Sequence, residues 1–305
     1  MITYNHEKYI GQAIDSVLIQ ETDFDYELVI GEDCSTDNTR AIVTEYQKQY
    51  PDKIRLLLPQ KNLGAHENTR QTLAACCGEY TAYLEGDDYW TDSLKLQKQV
   101  DYLEAHPECT LCFHNVLLIE DGVDKLPQPV YGGEMRKFYE FADLIPQNFI
   151  ITGSVVFRRA ALELPLPAWI DQMPMTDWPT WLLLAKKGRL GYLPDVMSVY
   201  RKHQGGVWSC LERYQWLEKS ILSCQLIRRH LPCKMPQLTD RIATMRREAI
   251  QRLIEQGDYH AASQHARKLL WFTCVRYLQD TIRLLKIMVR GSFPKIWEMI
   301  SRVKK

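Results

Sequence analysis

Between residues 9 and 106 short apolar runs alternate with amphipathic stretches, and this alternation narrows the possible folds before any single residue is weighed. "EKYIGQAIDSVLIQ" puts Ile10, Ile14, Val17 and Leu18 on one helical face. "YELVIG" (26–31) reads as a short apolar strand, and "STDNT" supplies capping residues for a helix reaching about Tyr50. "IRLLL" (54–58) is a strand, residues 66–77 a helix, "EYTAYLE" a strand and "SLKLQKQVDYLEAH" a helix. Such an order predicts an α/β fold with a parallel, doubly wound sheet covered by helices. Ligands of open sheets of this kind sit beyond the carboxyl ends of the strands.

From about residue 109 the order loosens. "CTLCFHNVLLI" and "ITGSVVFRR" read as strands, "WPTWLLLAKKG" as a helix ended by Gly188, and "LGYLPDVMSVYRKH" as two short strands broken at Pro194. After about Cys210 the pattern is helical, with "AIQRLIEQGDYHAASQHARKLL" forming two helices joined at Gly257 and Asp258 and no repeat at fixed period. Two regions are expected, an α/β domain over 1–209 and a helical region over 210–305.

Lys+Arg and Asp+Glu both number 38, and this zero net charge argues against a nucleic-acid partner. Residues 265–305, however, hold ten basic and two acidic side chains, so this tail is +8 and the rest −8. A basic, helix-prone tail suits an anionic membrane surface; a solvated helical face is the competing reading. No apolar run approaches the ~18 residues of a membrane span, and the N-terminus does not resemble a signal peptide. The nine cysteines show no framework and read as reduced thiols of a cytoplasmic protein, peripheral at the inner face of the membrane if the tail binds there. His106, Cys109, Cys112 and His114 have metal-like spacing, but strand alternation would send Cys109 and Cys112 to opposite faces, against a structural zinc.

Two acidic clusters stand at predicted strand ends. "GEDCSTD" carries Glu32, Asp33 and Asp37, and "YLEGDDYWTD" carries Glu85, Asp87 and Asp88. Alternation puts Glu85 and Asp87 on one side of an extended chain and Asp88 on the other. Like charges this close destabilise a fold unless a cation or hydrogen bonds compensate. Oxygen ligands favour Mg²⁺ or Mn²⁺, ions that commonly bridge carboxylates to substrate phosphates. The alternative is a solvated acidic turn with Asp92 capping the next helix.

"TYNHEKYIGQAIDSVLIQ", "IGEDCSTDNT", "NLGAHEN", "CGEYTAYLEGDDYWTDSLKLQKQV" and "MTDWPTWLLL" together resemble the family 2 glycosyltransferases, in order and over residues 1 to about 209. The resemblance implies a GT-A fold, a Rossmann-like, mostly parallel sheet flanked by helices, here with a C-terminal helical extension. It implies metal-dependent, inverting transfer of a sugar from a nucleotide-diphosphate donor, a UDP-sugar favoured, to a glycan or lipid-linked acceptor in surface polysaccharide synthesis. Thr3 and Asp33 are then base contacts, and Asn62 and Asn68 line the nucleotide pocket or serve the turn and helix start. Asp87 and Asp88 hold the diphosphate and its metal, His203 in "YRKHQGGVWS" is a further ligand or a plain loop histidine, and Asp177 is the catalytic base. Asp33 and Asp177 also suit helix-cap positions, and Trp90 and Trp178 suit either sugar stacking or the core.

The chain departs from the family pattern in three ways. It opens on "MITYNH", with almost none of the usual first strand, so either the start lies upstream or the sheet is compromised. Glu85 stands where an Asp is usual. No Gln-x-x-Arg-Trp segment occurs, which implies addition of one sugar or few. A nucleotidyltransferase or a non-catalytic sugar-nucleotide or glycan-binding module are the other readings.

Overall fold

The structure is a computed structural model that describes residues 1–123, 126–208, 210–231, 236–273, 287, 290 and 291. The chain forms two compact units, Met1–Gly206 and Val207–Lys305. In the first unit the elements run β1 (Ile2–Thr3), α1 (Ile10–Leu18), β2 (Leu28–Glu32), α2 (Thr39–Gln49), β3 (Ile54–Leu57), α3 (Ala65–Ala75), β4 (Tyr80–Ala82), β5 (Tyr89–Trp90) and α4 (Lys95–Ala105). They continue with β6 (Cys109–Glu120), β7 (Gln128–Pro129), β8 (Phe138–Tyr139), α5 (Phe141–Leu144), β9 (Val156–Arg158), α6 (Asp177–Ala185) and β10 (Arg189–Lys202).

Strands β1, β2 and β3 pair in parallel, and β4, β9, β6, β10 and β5 form a mixed sheet in that order. A parallel bridge between Ile2 and Glu85 joins the two. The Gly86 amide donates to the Ile2 carbonyl at 2.9 Å, and the Gly31 amide to that of Met1 at 2.9 Å. Two residues of β1 thus hold the central position between β2 and the chain leaving β4. Ile10, Ile14 and Val17, with Ala13, bury the predicted face of α1 beside Ile30 of β2 and Leu84.

Where two strands broken at Pro194 were expected, β10 is a single strand of 14 residues. Its register against β6 shifts between Leu193 and Val196 and again before Ser198. Proline offers no N–H to a ladder, and a bulge lets the strand pass it. Cys109 and Cys112 are both free and both buried in the core. They do not gather with His106 and His114 into a metal-ligating group among the described residues.

The second unit contains α7 (Arg213–His230), α8 (Pro236–Glu255) and α9 (Tyr259–Thr273). Gly257, at φ +80°, makes the turn between the last two, a backbone region that favours glycine. Ala243 and Ile250 of α8 pack with Ala266 and Leu269 of α9. No described helix is long and apolar enough to cross a membrane. Residues 274–286, 288–289 and 292–305 lie outside the described residues, and with them most of the basic tail on which the membrane expectation rests.

Lys95 opens α4 fully buried, its Nζ 3.8 Å from the centre of the Trp90 ring and without a hydrogen-bond partner. Burial lowers its pKa to about 7. The unfolded chain then binds more protons than the folded one between about pH 7 and the ordinary lysine value, so stability rises with pH through that window. Lys95→Met is predicted to remove this rise, which amounts to as much as about 1.4 kcal/mol per pH unit. Urea denaturation at pH values across the window checks it; an unchanged slope contradicts it.

Gly86 sits against β1. A Cβ there would lie 2.6 Å from Thr3 Oγ1, 2.7 Å from Thr3 Cβ and 3.0 Å from Ile10 Cδ1. Gly86→Ala is predicted to destabilise by about 1–3 kcal/mol, as overpacking does in well-filled cores, and thermal unfolding measures it. A wild-type melting temperature would mean that β1 and the acidic turn do not meet this closely.

Candidate active site

The bridge at Ile2 and Glu85 sets the loop after β1 beside the acidic turn after β4. The first loop is laced to the "STDNT" segment. Asn5, at φ 56°, accepts the Thr36 amide at 2.8 Å, and the His6 amide donates to Thr39 Oγ1 at 2.8 Å. Glu7 accepts the Asn38 amide at 3.0 Å. Thr3, expected at a base, is buried with its hydroxyl facing Gly86, so it fixes the approach of the two loops.

Of the first acidic cluster, Glu32 is buried, paired with Arg40, and accepts the Ser35 amide at 2.6 Å. Asp33 accepts the amides of Leu63 at 2.7 Å and Gly64 at 2.9 Å, while Asn62 donates to the Asp33 carbonyl at 3.0 Å. Asp33 and Asn62 therefore clasp "NLGAHEN" to the end of β2. Asn68, expected at the nucleotide pocket or helix start, stands near the start of α3. It is buried on α3 and donates to the Gly31 carbonyl at 2.9 Å. A Cβ on Gly31 would come within 2.4 Å of Asn68 Oδ1, so glycine is what lets α3 approach β2 here.

The side chains of the second cluster take different partners along a turn in which the Asp88 amide donates to the Glu85 carbonyl at 3.1 Å. Asp87 Oδ2 lies 2.9 Å from His203 Nε2 and 3.8 Å from His6 Nε2. These three residues are the group able to hold a metal ion among the described residues. Asp88, expected as a ligand with Asp87, is not in it. Its Oδ1 accepts the Arg201 amide at 2.8 Å, its Oδ2 is buried without a partner, and the residue is 2% exposed.

The charges follow this geometry. Burial pushes Asp88 well above the usual aspartate range, helped by Asp87 and Glu85. Glu85 is raised to about 8 by burial and then by Asp87 and Asp177. Burial pushes Asp87 the same way, but the His203 hydrogen bond and the His6 charge outweigh it and hold its carboxyl low. Tyr200 on β10 is raised by burial and then by the charges of Glu85, Asp88, Asp87 and Asp177.

Asp177 is the first residue of α6. Its Oδ2 accepts Asn148 Nδ2 at 2.8 Å and the Thr152 hydroxyl at 3.4 Å, and its Oδ1 accepts the Trp178 amide at 2.7 Å. Burial raises its pKa, and these donors oppose the rise. Trp90 and Trp178 are both core residues, their indole N–H groups donating to Gly153 and Leu144 carbonyls at 3.0 Å. The residues that sequence reasoning passed over are His6, Asn148 and Thr152. His6 stood inside the quoted "TYNHEKYIG" as a possible ligand type; Asn148 and Thr152 gave no local signal, because a β9-side loop brings them to Asp177 from far along the chain.

A family model described as glycosyl transferase family 2 matches residues 1–164. An uncharacterized protein of Mycobacterium tuberculosis is 45% identical over 208 residues, 68% of this chain and 59% of that protein. The matched region thus spans less than two thirds of that relative. Among solved structures, Staphylococcus aureus TarS in complex with UDP-GlcNAc aligns with a TM-score of 0.56 at 18% identity, covering 95% of this chain and 79% of that one. The mannosyltransferase PcManGT of Pyrobaculum calidifontis, in complex with GDP-Man and Mn²⁺, aligns with a TM-score of 0.56 at 17% identity, covering 96% and 86%. These likenesses agree with a GT-A fold, a parallel-to-mixed sheet flanked by helices and followed by C-terminal helices. With the family model matching more than half its length, the chain belongs to glycosyl transferase family 2.

Proposed function

We propose that the protein transfers a sugar from a nucleotide-diphosphate donor, a UDP-sugar favoured, to a hydroxyl of a glycan or lipid-linked acceptor in surface polysaccharide synthesis, with inversion at the anomeric carbon. The observation that carries this reading is the group of Asp87, His203 and His6, whose ligand atoms lie within 4.8 Å of one another, with Asp177 near enough to the same acidic turn to help raise Glu85. The UDP-GlcNAc and GDP-Man held by the two solved neighbours support the donor class.

The residues present fit a divalent cation, Mn²⁺ or Mg²⁺. Asp87 offers an oxygen held in its charged form, and His203 an adjacent imidazole nitrogen. When bound, the ion would neutralise charge gathering on the leaving diphosphate. Asp33 and Asn62 keep the 62–64 loop in position beside the donor's nucleotide.

Asp177 acts as the base. Its carboxylate takes the proton of the acceptor hydroxyl as that oxygen bonds to sugar C1, and the C1–O bond to the diphosphate breaks, its electron pair leaving with the diphosphate. A single displacement of this kind inverts the configuration, as it does in inverting glycosidases. Asn148 orients the carboxylate and stabilises its charged form.

Incubation with labelled sugar nucleotides, Mn²⁺ and lipid or glycan extracts is expected to release free nucleoside diphosphate; pyrophosphate, or no product, would overturn the reading. Asp177→Asn is predicted to slow transfer ~10²–10⁴-fold while donor affinity holds. Because burial raises the Asp177 pKa, the acid limb of kcat/KM is expected above the ordinary aspartate range. Asn148→Ala, which removes a donor to the charged form, shifts that limb to higher pH. A fixed limb or a fully active Asp177→Asn sinks the assignment.

A further inference from the structure

The ring of His6 is poorly explained as a structural group. Its Nδ1 is buried and has no hydrogen-bond partner, and its Nε2 lies 3.8 Å from Asp87 Oδ2, beyond hydrogen-bond reach. Its side chain is 17% exposed, so little water reaches the ring to compensate. A largely buried imidazole left unsatisfied destabilises a fold unless something binds it.

The backbone that carries this ring is firmly placed. The His6 amide donates to Thr39 Oγ1 at 2.8 Å, and the His6 carbonyl accepts the amides of Tyr9 and Ile10, both at 2.9 Å, where α1 begins. The flanking residues Asn5 and Glu7 are tied to Thr36 and Asn38. The ring is therefore delivered to Asp87 by a braced turn. The rings of His6 and His203 stand 6.1 Å apart at 87°, so two nitrogens approach the same carboxylate from different directions.

The ligand atoms of His6, Asp87 and His203 all lie within 4.8 Å of one another. Ligands bound at about 2.0–2.2 Å are separated by roughly 3 Å when adjacent and roughly 4.3 Å when opposite. Only small rotations would bring the three atoms onto one ion. We propose that His6 is a third protein ligand of the donor-site cation, giving a two-histidine, one-carboxylate centre that takes Mn²⁺ in preference to Mg²⁺. Imidazole nitrogen binds first-row transition ions well, whereas Mg²⁺ demands hard oxygen ligands and keeps its waters. The same bond would fasten the turn after β1 to the acidic turn after β4. The inference rests on the sugar-transfer reading for the presence of a cation, and its test counts ligands without any turnover.

Metal-free full-length protein is titrated with Mn²⁺ alone at neutral pH, and bound ion is measured by electron paramagnetic resonance with pulsed detection of nitrogen coupling. Two coupled nitrogens are expected in the wild type and one in His6→Ala and in His6→Gln. Mn²⁺ affinity is expected to fall about 10–100-fold in both variants, and a tenfold excess of Mg²⁺ to displace little Mn²⁺ from the wild type. One coupled nitrogen in the wild type, or unchanged affinity in folded variants, overturns the role of His6 while leaving the metal reading intact. A wild type that binds no Mn²⁺ overturns both. Since the wild-type nitrogen count needs no variant, misfolding of His6→Ala does not blunt the test.

Discussion

Burial raises Glu85 and Asp88 in a part of the first unit where protein replaces much of the surrounding water, with Asp87 and Asp177 adding to the rise at Glu85 and Asp87 and Glu85 adding to that at Asp88. Like charges in such a place oppose folding, and the surrounding structure divides the problem among different partners. Asp87 is given His203 and faces His6. Asp88 is shut away on the Arg201 amide, and burial raises its pKa well above the usual aspartate range. Asp177 receives three donors and is partly exposed. In the proposed reading a dication at Asp87 would carry the opposite charge.

This arrangement depends on two close approaches that contain no charge at all. Thr3 rests on Gly86, and α3 rests on Gly31 through Asn68 and Thr72. Both are places where an ordinary side chain would force strands or helix apart. The first brings the turn carrying His6 to the turn carrying Asp87; the second sets the end of β2, and thus Asp33, at the height of the 62–64 loop. The geometry of the candidate site is in this sense a consequence of backbone packing one or two residues away from Asp87 and Asp33.

Much of this was legible in the sequence, because the signals were local. The periodicity of α1 and the apolar run of β2 reappear as a buried helix face and a fully buried strand. The acidic turn was found because its charges are adjacent in the chain. Less was legible where a contact is long-range. Asn68 meets Gly31, 37 positions away. Asp88 meets the Arg201 amide, 113 positions away. Pro194 suggested a break because the parallel partner that carries β10 past it, β6, cannot be seen from β10 itself. The partners of Asp177 come from 25 and 29 residues upstream, with nothing in their own neighbourhood to announce them.

The central claim is that a divalent cation and a nucleotide-linked diphosphate together neutralise this acidic centre. Thermal unfolding of metal-free protein with sugar nucleotides, with and without Mn²⁺, tests it most directly, since a ligand that binds the folded state raises its stability by mass action. The account predicts that a UDP-sugar with Mn²⁺ raises the melting temperature by more than the sum of either alone. Equal melting temperatures in all four conditions, for every sugar nucleotide tried, would contradict it.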